Sequence, residues 1–200
     1  MADGTTAGRT RQAPIRIGAV VALALAIAFV VWLVIRGNDN SSTTSKTTTP
    51  TPGKKTPKPR ETIRAATPQS LRALARASGH PVYWAGPQPK VKYELTQVTD
   101  GRIYIRYLPK GVKLGDRRAA YLIVATYPVP NAYKAVRTAA KESGAVTFRT
   151  KRGGLAVYNQ SAATNVYLAY PGSKYQIEVF DPNPSRARQL VRSGTVRPIA

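Results

Sequence analysis

The chain has 200 residues and a formal net charge of +22, from 31 Lys and Arg residues against 9 Asp and Glu residues, with one histidine and no cysteine. The lack of cysteine excludes disulfides, thiol catalysis and thiolate metal sites, and a single histidine excludes multi-histidine metal clusters. A charge of this sign favours anionic partners such as lipid headgroups, acidic wall polymers or nucleic acid.

Residues 17–35 form an uncharged apolar run, IGAVVALALAIAFVVWLVI. As an α-helix at about 1.5 Å per residue, this run covers roughly 28 Å, close to the ~30 Å hydrocarbon core of a bilayer. It is longer than the apolar core of a signal peptide, and it lacks the polar face of a buried amphipathic helix. We therefore predict a transmembrane helix at 17–35, with a cleaved signal peptide and a core helix as the alternatives.

Residues 1–16 are predicted to form a cytoplasmic tail. Three arginines lie in this tail before the span, whereas Arg36 alone lies equally close on the other side. Positively charged flanks tend to stay in the cytoplasm, so the N-terminus is expected inside and the remainder of the chain outside. Three lysines lie slightly farther along and make this charge difference small: Lys46, Lys54 and Lys55.

Residues 36–66 are rich in Thr, Ser, Pro and Lys and hold little that could be buried. Such a composition is typical of disorder, and its prolines favour an extended polyproline II geometry. About thirty residues at roughly 3.1 Å each could reach about 90 Å. We predict a disordered stalk that holds a domain of residues 67–200 away from the membrane.

Three segments of this domain carry helix signals, residues 67–79, 129–144 and 183–194. Each has a proline near its start and a Ser-Gly pair at its end. Thr67 and Asn183 are suitable N-cap residues, proline is favoured at the first helical position, and glycine allows the left-handed turn after a helix. We predict one helix in each segment.

Alternating segments rich in Val, Ile and Tyr predict strands between these helices. Two sets of three strands are each followed by a helix, which suggests an internal duplication, and Asp100-Gly101 suggests a tight hairpin turn. A further strand is expected near Val82. We predict an α+β domain in two layers, with helices on one face of an antiparallel sheet. The six main strand segments are 91–99, 103–107, 121–130, 155–159, 166–170 and 175–184.

Basic residues suggest where this domain could bind a partner, because the segment from Pro68 to Ala200 alone has 21 Lys and Arg residues against 6 Asp and Glu residues, a net charge of +15. The longest loop, residues 108–119, carries cations and two glycines, and the preceding strand presents arginines beside Tyr104. Such groups can bind sugars, phosphates or bases. A solvated loop without a ligand is the alternative. The candidate anion-binding residues are Arg102, Arg106, Lys110, Lys113, Arg117 and Arg118.

No catalytic, metal-binding or cofactor-binding constellation is found in the sequence. His80 lies between Gly79 and Pro81 and is interpreted as a turn residue. No phosphate-binding glycine motif is present, and residues 151–154 are interpreted as a loop that enters a strand. Glu94 and Glu178 lie on predicted strands and are the likeliest pair for carboxylate catalysis.

The leading hypothesis is a non-enzymatic, single-pass membrane protein that displays a basic binding or assembly domain outside the cytoplasm. Its expected partner is an anionic polymer of the cell envelope, a lipid headgroup or a protein, and nucleic acid is not expected if the domain is exported. One alternative is a membrane-tethered nucleic-acid-binding protein with its domain in the cytoplasm. Another is a carboxylate-dependent hydrolase of the cell envelope that uses Glu94 and Glu178.

Overall fold

A computed structural model describes residues 59–200. The predicted tail, transmembrane helix and most of the predicted stalk lie outside the described residues. Within residues 59–200, no helix is both long and apolar enough to cross a membrane. This part of the chain is a mostly antiparallel sheet with three α-helices, which confirms the predicted α+β class.

Short helices separate runs of consecutive strands along the described part of the chain. In chain order they are β1 Glu61–Ala66, α1 Pro68–Ala77, β2 Tyr83–Trp84, β3 Val91–Val98, β4 Ile103–Pro109, β5 Ile123–Pro128, α2 Ala132–Ala139, β6 Ala145–Arg149, β7 Leu155–Asn159, a 3₁₀ turn Gln160–Ala162, β8 Asn165–Ala169, β9 Tyr175–Phe180, α3 Pro184–Arg192 and β10 Arg197–Pro198.

Eight strands form one sheet in the order β1-β3-β4-β5-β9-β8-β7-β6. Every neighbouring pair in this sheet is antiparallel. The two short strands, β2 and β10, pair with each other in a separate small sheet. The central pair of the large sheet, β5 and β9, joins strands that are distant in the chain, and the strand order on its two sides is mirrored.

The helices lie on both faces of the sheet, so the predicted two-layer arrangement with helices on one face is wrong. Leu71 of α1 and Val191 of α3 pack in one core cluster with Val124, whereas Val136 of α2 packs in a second cluster with Ala125. Successive residues of a strand point to opposite faces. Val124 and Ala125 therefore mark two covered faces, and the domain has three layers.

The helix caps predicted from the sequence are confirmed for α1 and α3. Thr67 Oγ1 accepts the N–H of Ser70, and Ser70 Oγ accepts the N–H of Thr67. Asn183 Oδ1 accepts two backbone N–H groups in the first turn of α3. By contrast, α2 follows Asn131, which has a left-handed backbone (φ 56°) and makes no side-chain cap. This helix is shorter than predicted, because it begins after the proline and ends well before the Ser-Gly pair.

β1 lies in the segment predicted to be the end of the stalk. Residues 61–66 instead form an edge strand that pairs along its whole length with β3. Only Ala66 of its six residues is not exposed. The strand depends on backbone pairing and buries little side-chain surface, which is why hydrophobic patterning did not indicate it.

The predicted duplication makes α2 equivalent to α3, since each follows the third strand of its set. The two helices lie on opposite faces of the sheet. The strand order is consistent with two similar sets of strands, but the positions of the two helices do not match. The repeated unit of three strands and one helix therefore stays a prediction.

Candidate anion-binding site

The loop that follows β4, residues 110–122, folds back onto the sheet. Lys92 Nζ donates to the Val112 carbonyl at 2.8 Å, and the N–H of Gly115 donates to the Glu94 carboxylate. Lys92 and Glu94 are both on β3, so these contacts hold the loop along that strand. The loop is therefore anchored to the sheet.

Arg106, one of the candidate anion-binding residues, attaches the same loop to β4. Its guanidinium pairs with Glu94 at 2.5 Å and also donates to the carbonyl of Asp116. The side chain of Arg106 is 13% exposed and that of Glu94 is 1% exposed. Arg106 stabilises the ionised form of this buried carboxylate, because an unpaired buried charge is strongly unfavourable. The role of Arg106 in this structure is to hold the loop.

Arg102 and Arg118 are also paired with carboxylates. Arg102 Nε lies 2.8 Å from Asp100, and Arg118 Nη2 lies 2.6 Å from Asp116. The hydrogen bonds from Arg118 hold the pKa of the Asp116 carboxyl well below its usual range. Asp116 is thus ionised at neutral pH, and it offsets the charge of its partner.

The remaining three candidates, Lys110, Lys113 and Arg117, are exposed. None of them forms an ion pair with a carboxylate of residues 59–200. The six predicted residues therefore divide into three that are engaged with acidic side chains and three that remain on the surface of an anchored loop.

A second group of cations lies at the opposite edge of the sheet, where the turn between β6 and β7 meets the C-terminal end of α3. An open, shallow depression of about 350 Å³ lies between the two elements, and we call it the basic cleft. The basic cleft was not predicted from the sequence, in which residues 151–154 are interpreted as a loop that enters a strand. Its lining residues are Arg149, Thr150, Lys151, Gln189, Arg192 and Ser193.

Hydrogen bonds fix the turn of the basic cleft to the helix. The N–H of Lys151 donates to the Arg192 carbonyl at 3.1 Å, and Arg152 Nε donates to the Gly194 carbonyl at 3.1 Å. Thr150 Oγ1 accepts a backbone N–H within the turn. The cations of the cleft thus come from two elements that are joined to each other.

Two guanidinium groups of the basic cleft are oriented by aromatic side chains. Arg149 Nη1 donates to Tyr133 Oη at 2.9 Å, and the guanidinium carbon of Arg192 lies 4.4 Å from the centre of the Phe148 ring. A guanidinium has five N–H donors, and stacking uses its flat face. These contacts do not use all the N–H donors of the two guanidinium groups, and the rest can donate to the oxygens of an anionic ligand.

The described carboxylates do not line the basic cleft. Arg192 lies in the last turn of α3, where a cation also offsets the helix dipole. Arg149 and Lys151 come from a different element, so the helix dipole does not account for the whole cluster. Arginine pairs with four carboxylates elsewhere: Glu94, Asp100, Asp116 and Asp181.

Glu178 is a second buried carboxylate, 5% exposed, on the α2 face of the sheet. It accepts hydrogen bonds from Tyr127 Oη, Asn165 Nδ2 and Tyr167 Oη, the last at 3.2 Å. Burial raises the pKa of Glu178 above its ordinary value, although these hydrogen bonds act in the opposite direction. The adjacent Gln176 is also buried. Glu178 therefore belongs to a closed polar cluster in the core.

The two strand glutamates considered for catalysis are far apart. Glu94 lies opposite Arg106, which lies opposite Ile123, which in turn lies opposite Phe180 on β9. Three strand spacings of about 4.8 Å therefore separate Glu94 from the strand of Glu178, roughly 14 Å. Carboxylates that cleave glycosidic bonds are about 5 to 9.5 Å apart. The backbones of the two glutamates are thus farther apart than that range, which disfavours them as the pair for a carboxylate hydrolase.

Comparisons with known proteins find no matching family model, no similar curated protein and no similar solved structure.

Proposed function

We propose that the protein is a non-enzymatic, single-pass membrane protein whose basic α+β domain binds an anionic polymer of the cell envelope through the basic cleft. The observation that carries this proposal is the composition of the cleft: Arg149, Lys151 and Arg192 line it together, and no carboxylate of residues 59–200 does. A charged ligand is the simplest means of compensating three neighbouring cations.

The net charge of the domain favours a polymer over a small anion. The excess of +15 over Pro68 to Ala200 is spread beyond the cleft, and it includes the exposed cations Lys110, Lys113 and Arg117. A polymer with repeated negative charges can contact several such groups at once, and the positive field of the domain attracts it over a longer range. We therefore assign the specific contacts to the basic cleft and the wider attraction to the remaining surface.

The proposed setting comes from the sequence. The apolar run at 17–35 serves as the anchor, residues 1–16 stay in the cytoplasm, and the Thr- and Pro-rich segment separates the domain from the bilayer. We also propose that the mirrored order of the strands reflects a duplication of the strand set, with the helices added differently in the two halves. A two-fold rotation about an axis between β5 and β9 should then superimpose β3–β5 on β7–β9, and failure to do so would reject the duplication.

Binding is tested with the full-length protein in detergent and immobilised heparin as a model anionic polymer. Lys151→Glu combined with Arg192→Glu should weaken binding about tenfold or more, since each charged contact contributes roughly 1.5 to 3 kcal/mol. The matched control is Arg72→Glu combined with Arg76→Glu, which makes the same change of charge on exposed positions of α1. Equal weakening by both double variants would mean that the cleft has no special role.

Placement of the domain is tested separately with a C-terminal reporter that is active only outside the cytoplasm. Activity supports the proposed topology. Activity of a cytoplasmic reporter instead would favour the second candidate function, a membrane-tethered nucleic-acid-binding protein that uses the same cations. That candidate predicts affinity for DNA or RNA that falls steeply as salt is raised.

A further inference from the structure

β1 leaves one edge of the eight-stranded sheet open. Its residues pair with β3 on one side, and no strand of residues 59–200 pairs with them on the other. An open edge presents N–H and C=O groups that can pair with a strand of another chain. We propose that two copies of this protein associate through β1 into one continuous antiparallel sheet.

Backbone contacts at the start of β1 show which groups face outward. The carbonyl of Arg60 accepts the N–H of Thr99 at 3.0 Å, and the N–H of Arg60 donates to Thr99 Oγ1 at 3.1 Å. The backbone of Arg60 thus points towards β3. Because this direction alternates along an antiparallel strand, Glu61, Ile63 and Ala65 present their N–H and C=O groups at the open edge.

The open edge carries only part of the usual protection against pairing. Natural edge strands are commonly short, or are blocked by charged residues, above all lysine, by proline or by a β-bulge. The six residues of β1, ETIRAA, include the charged Glu61 and Arg64 but no lysine or proline, and their pairing with β3 runs without interruption. Ile63 is 46% exposed, although it is a large apolar side chain at the middle of the strand. Pairing with another strand would cover part of its surface.

A second copy of β1 fits this edge in one register. A two-fold axis perpendicular to the sheet pairs only residues whose side chains lie on the same face. Side chains alternate between the faces along a strand, so the axis must pass through one residue of β1, which then lies opposite its own copy. An axis at Thr62 would place Arg60 opposite Arg64, and an axis at Arg64 would place Arg64 opposite its own copy. Both arrangements are destabilising, because like charges would lie directly opposite each other. An axis at Glu61 would likewise place that residue opposite its own copy, and an axis at Ala65 would pair only residues 64–66 of β1. An axis at Ile63 avoids these conflicts and pairs all residues from 60 to 66.

The proposed contact is small, so it requires the proposed membrane anchor to hold the two copies close together. A ladder of this length buries much less than the roughly 800 Å² per partner of a typical stable interface. Anchoring both copies in one membrane raises their effective concentration and makes a weak contact significant. The predicted stalk is a poor alternative occupant of the edge, because Pro50, Pro52, Pro57 and Pro59 lack the N–H groups that a ladder requires.

The chain has no cysteine, which permits a test by single-cysteine cross-linking of the full-length protein in lipid vesicles. In the proposed register, Ile63→Cys faces its own copy at a Cα separation of about 5.5 Å, within the range of a disulfide. Mild oxidation should therefore produce a covalent dimer. The matched control is Thr62→Cys, an exposed neighbour whose copies lie on a diagonal. We expect the Ile63→Cys dimer to form at least about tenfold faster.

Two further measurements test the register and the choice of edge. Vesicles that contain both Thr62→Cys and Arg64→Cys proteins should form a mixed dimer, because the register places these positions opposite each other. Thr147→Cys, on the other edge strand β6, should form no dimer with itself or with Ile63→Cys. A dimer between Ile63→Cys and Thr147→Cys would instead indicate an open chain of copies, and it would overturn the two-fold proposal.

The proposal is also overturned if Ile63→Cys forms no dimer, or if Thr62→Cys forms a dimer at the same rate. Circular dichroism of each variant verifies that it is folded, and position 63 is exposed enough to accept the change. Ile63→Arg provides a readout without oxidation: energy transfer between labelled copies in the same vesicles should fall to the level expected for random encounters. Unchanged energy transfer would contradict the proposal.

Discussion

Two buried glutamates on the α2 face of the sheet are stabilised in different ways. Glu94 has an ionised partner in Arg106 and a backbone N–H from Gly115. Glu178 receives only neutral donors, mainly the hydroxyl of Tyr127 and the amide of Asn165. The ion pair attaches a loop to the sheet, whereas the neutral cluster joins β5, β8 and β9 to one another. The same side chain therefore fastens a surface segment in one place and links core strands in the other.

Breaking the ion pair should have the largest effect. Arg106→Met leaves Glu94 buried without an ionised partner and releases the loop, and we expect a loss of about 3 to 5 kcal/mol in the free energy of unfolding. Urea denaturation measures this loss, and faster tryptic cleavage at Lys113 and Arg117 reports the release of the loop.

A second change separates the lost charge pair from a general packing defect. Adding Glu94→Gln to Arg106→Met removes the uncompensated charge and should recover part of the lost stability. The control Arg118→Met also removes a paired arginine, but one whose side chain is 67% exposed, and it should cause only a small change. Equal losses for the two arginine variants would contradict the proposed role of Arg106.

Weakening the neutral cluster should have a smaller effect. Tyr127→Phe removes one donor to Glu178 while it keeps the ring, and we expect a loss of about 1 to 3 kcal/mol. Tyr167→Phe removes a longer hydrogen bond, 3.2 Å, so it should destabilise the protein less. Thermal and urea unfolding of both variants determine the order, and a reversed order would show that Tyr127 is not the principal donor.

The smallest effect is a dependence on pH that arises from Glu178 alone. Its pKa is raised from the ordinary value of 4.5 by burial, so the folded state binds this proton more tightly than the unfolded state. The resulting stability is fully present below pH 4.5 and is lost as the pH rises through the raised pKa.

Glu178→Gln removes this contribution while it retains the shape of the side chain. The stability of the variant relative to the natural protein should increase as the pH rises above 4.5. Unfolding measured from acidic to neutral pH gives the difference between the two proteins. A difference that does not vary with pH would show that Glu178 titrates as it does in the unfolded chain.

Local chemistry made some of the fold predictable. Thr67 before Pro68 and Asn183 before Pro184 identified the starts of α1 and α3, since a cap depends on neighbouring residues only. The helix predicted for residues 129–144 has no such cap, because Asn131 before α2 has a left-handed backbone, and its predicted boundaries were wrong. β1 was missed because its sequence has no apolar pattern: nearly all of its side chains are exposed, and the strand forms through backbone pairing with β3.

The partner of Glu94 shows how a single residue of register limits such predictions. The predicted tight turn at Asp100-Gly101 would place Glu94 opposite Tyr107. The structure instead closes the hairpin with the N–H of Val98 bonded to the carbonyl of Arg102, which places Glu94 opposite Arg106. A shift of one residue changes which side chain meets the carboxylate.

The basic cleft was beyond sequence reasoning for a different reason. Its cations are visible as Lys151-Arg152 and as Arg188 and Arg192, but the two groups are about forty residues apart. Only the way α3 returns to the turn between β6 and β7 brings them together. Two features of the sequence could have indicated the cleft: the cations Lys151 and Arg152 beside two glycines, and the arginines at helical spacing, Arg188 and Arg192.

The central position of β9 has a consequence for how the protein is made. β5 is synthesised well before β9, the second strand with which it pairs, because β9 ends at Phe180. Until β9 is made, the backbone N–H and C=O groups on one side of β5 have no strand to pair with. Pairings between such distant segments form slowly because a long loop must close first. Folding factors that shield strands of newly made proteins should therefore engage the segment of residues 123–128 and release it only after β9 has emerged.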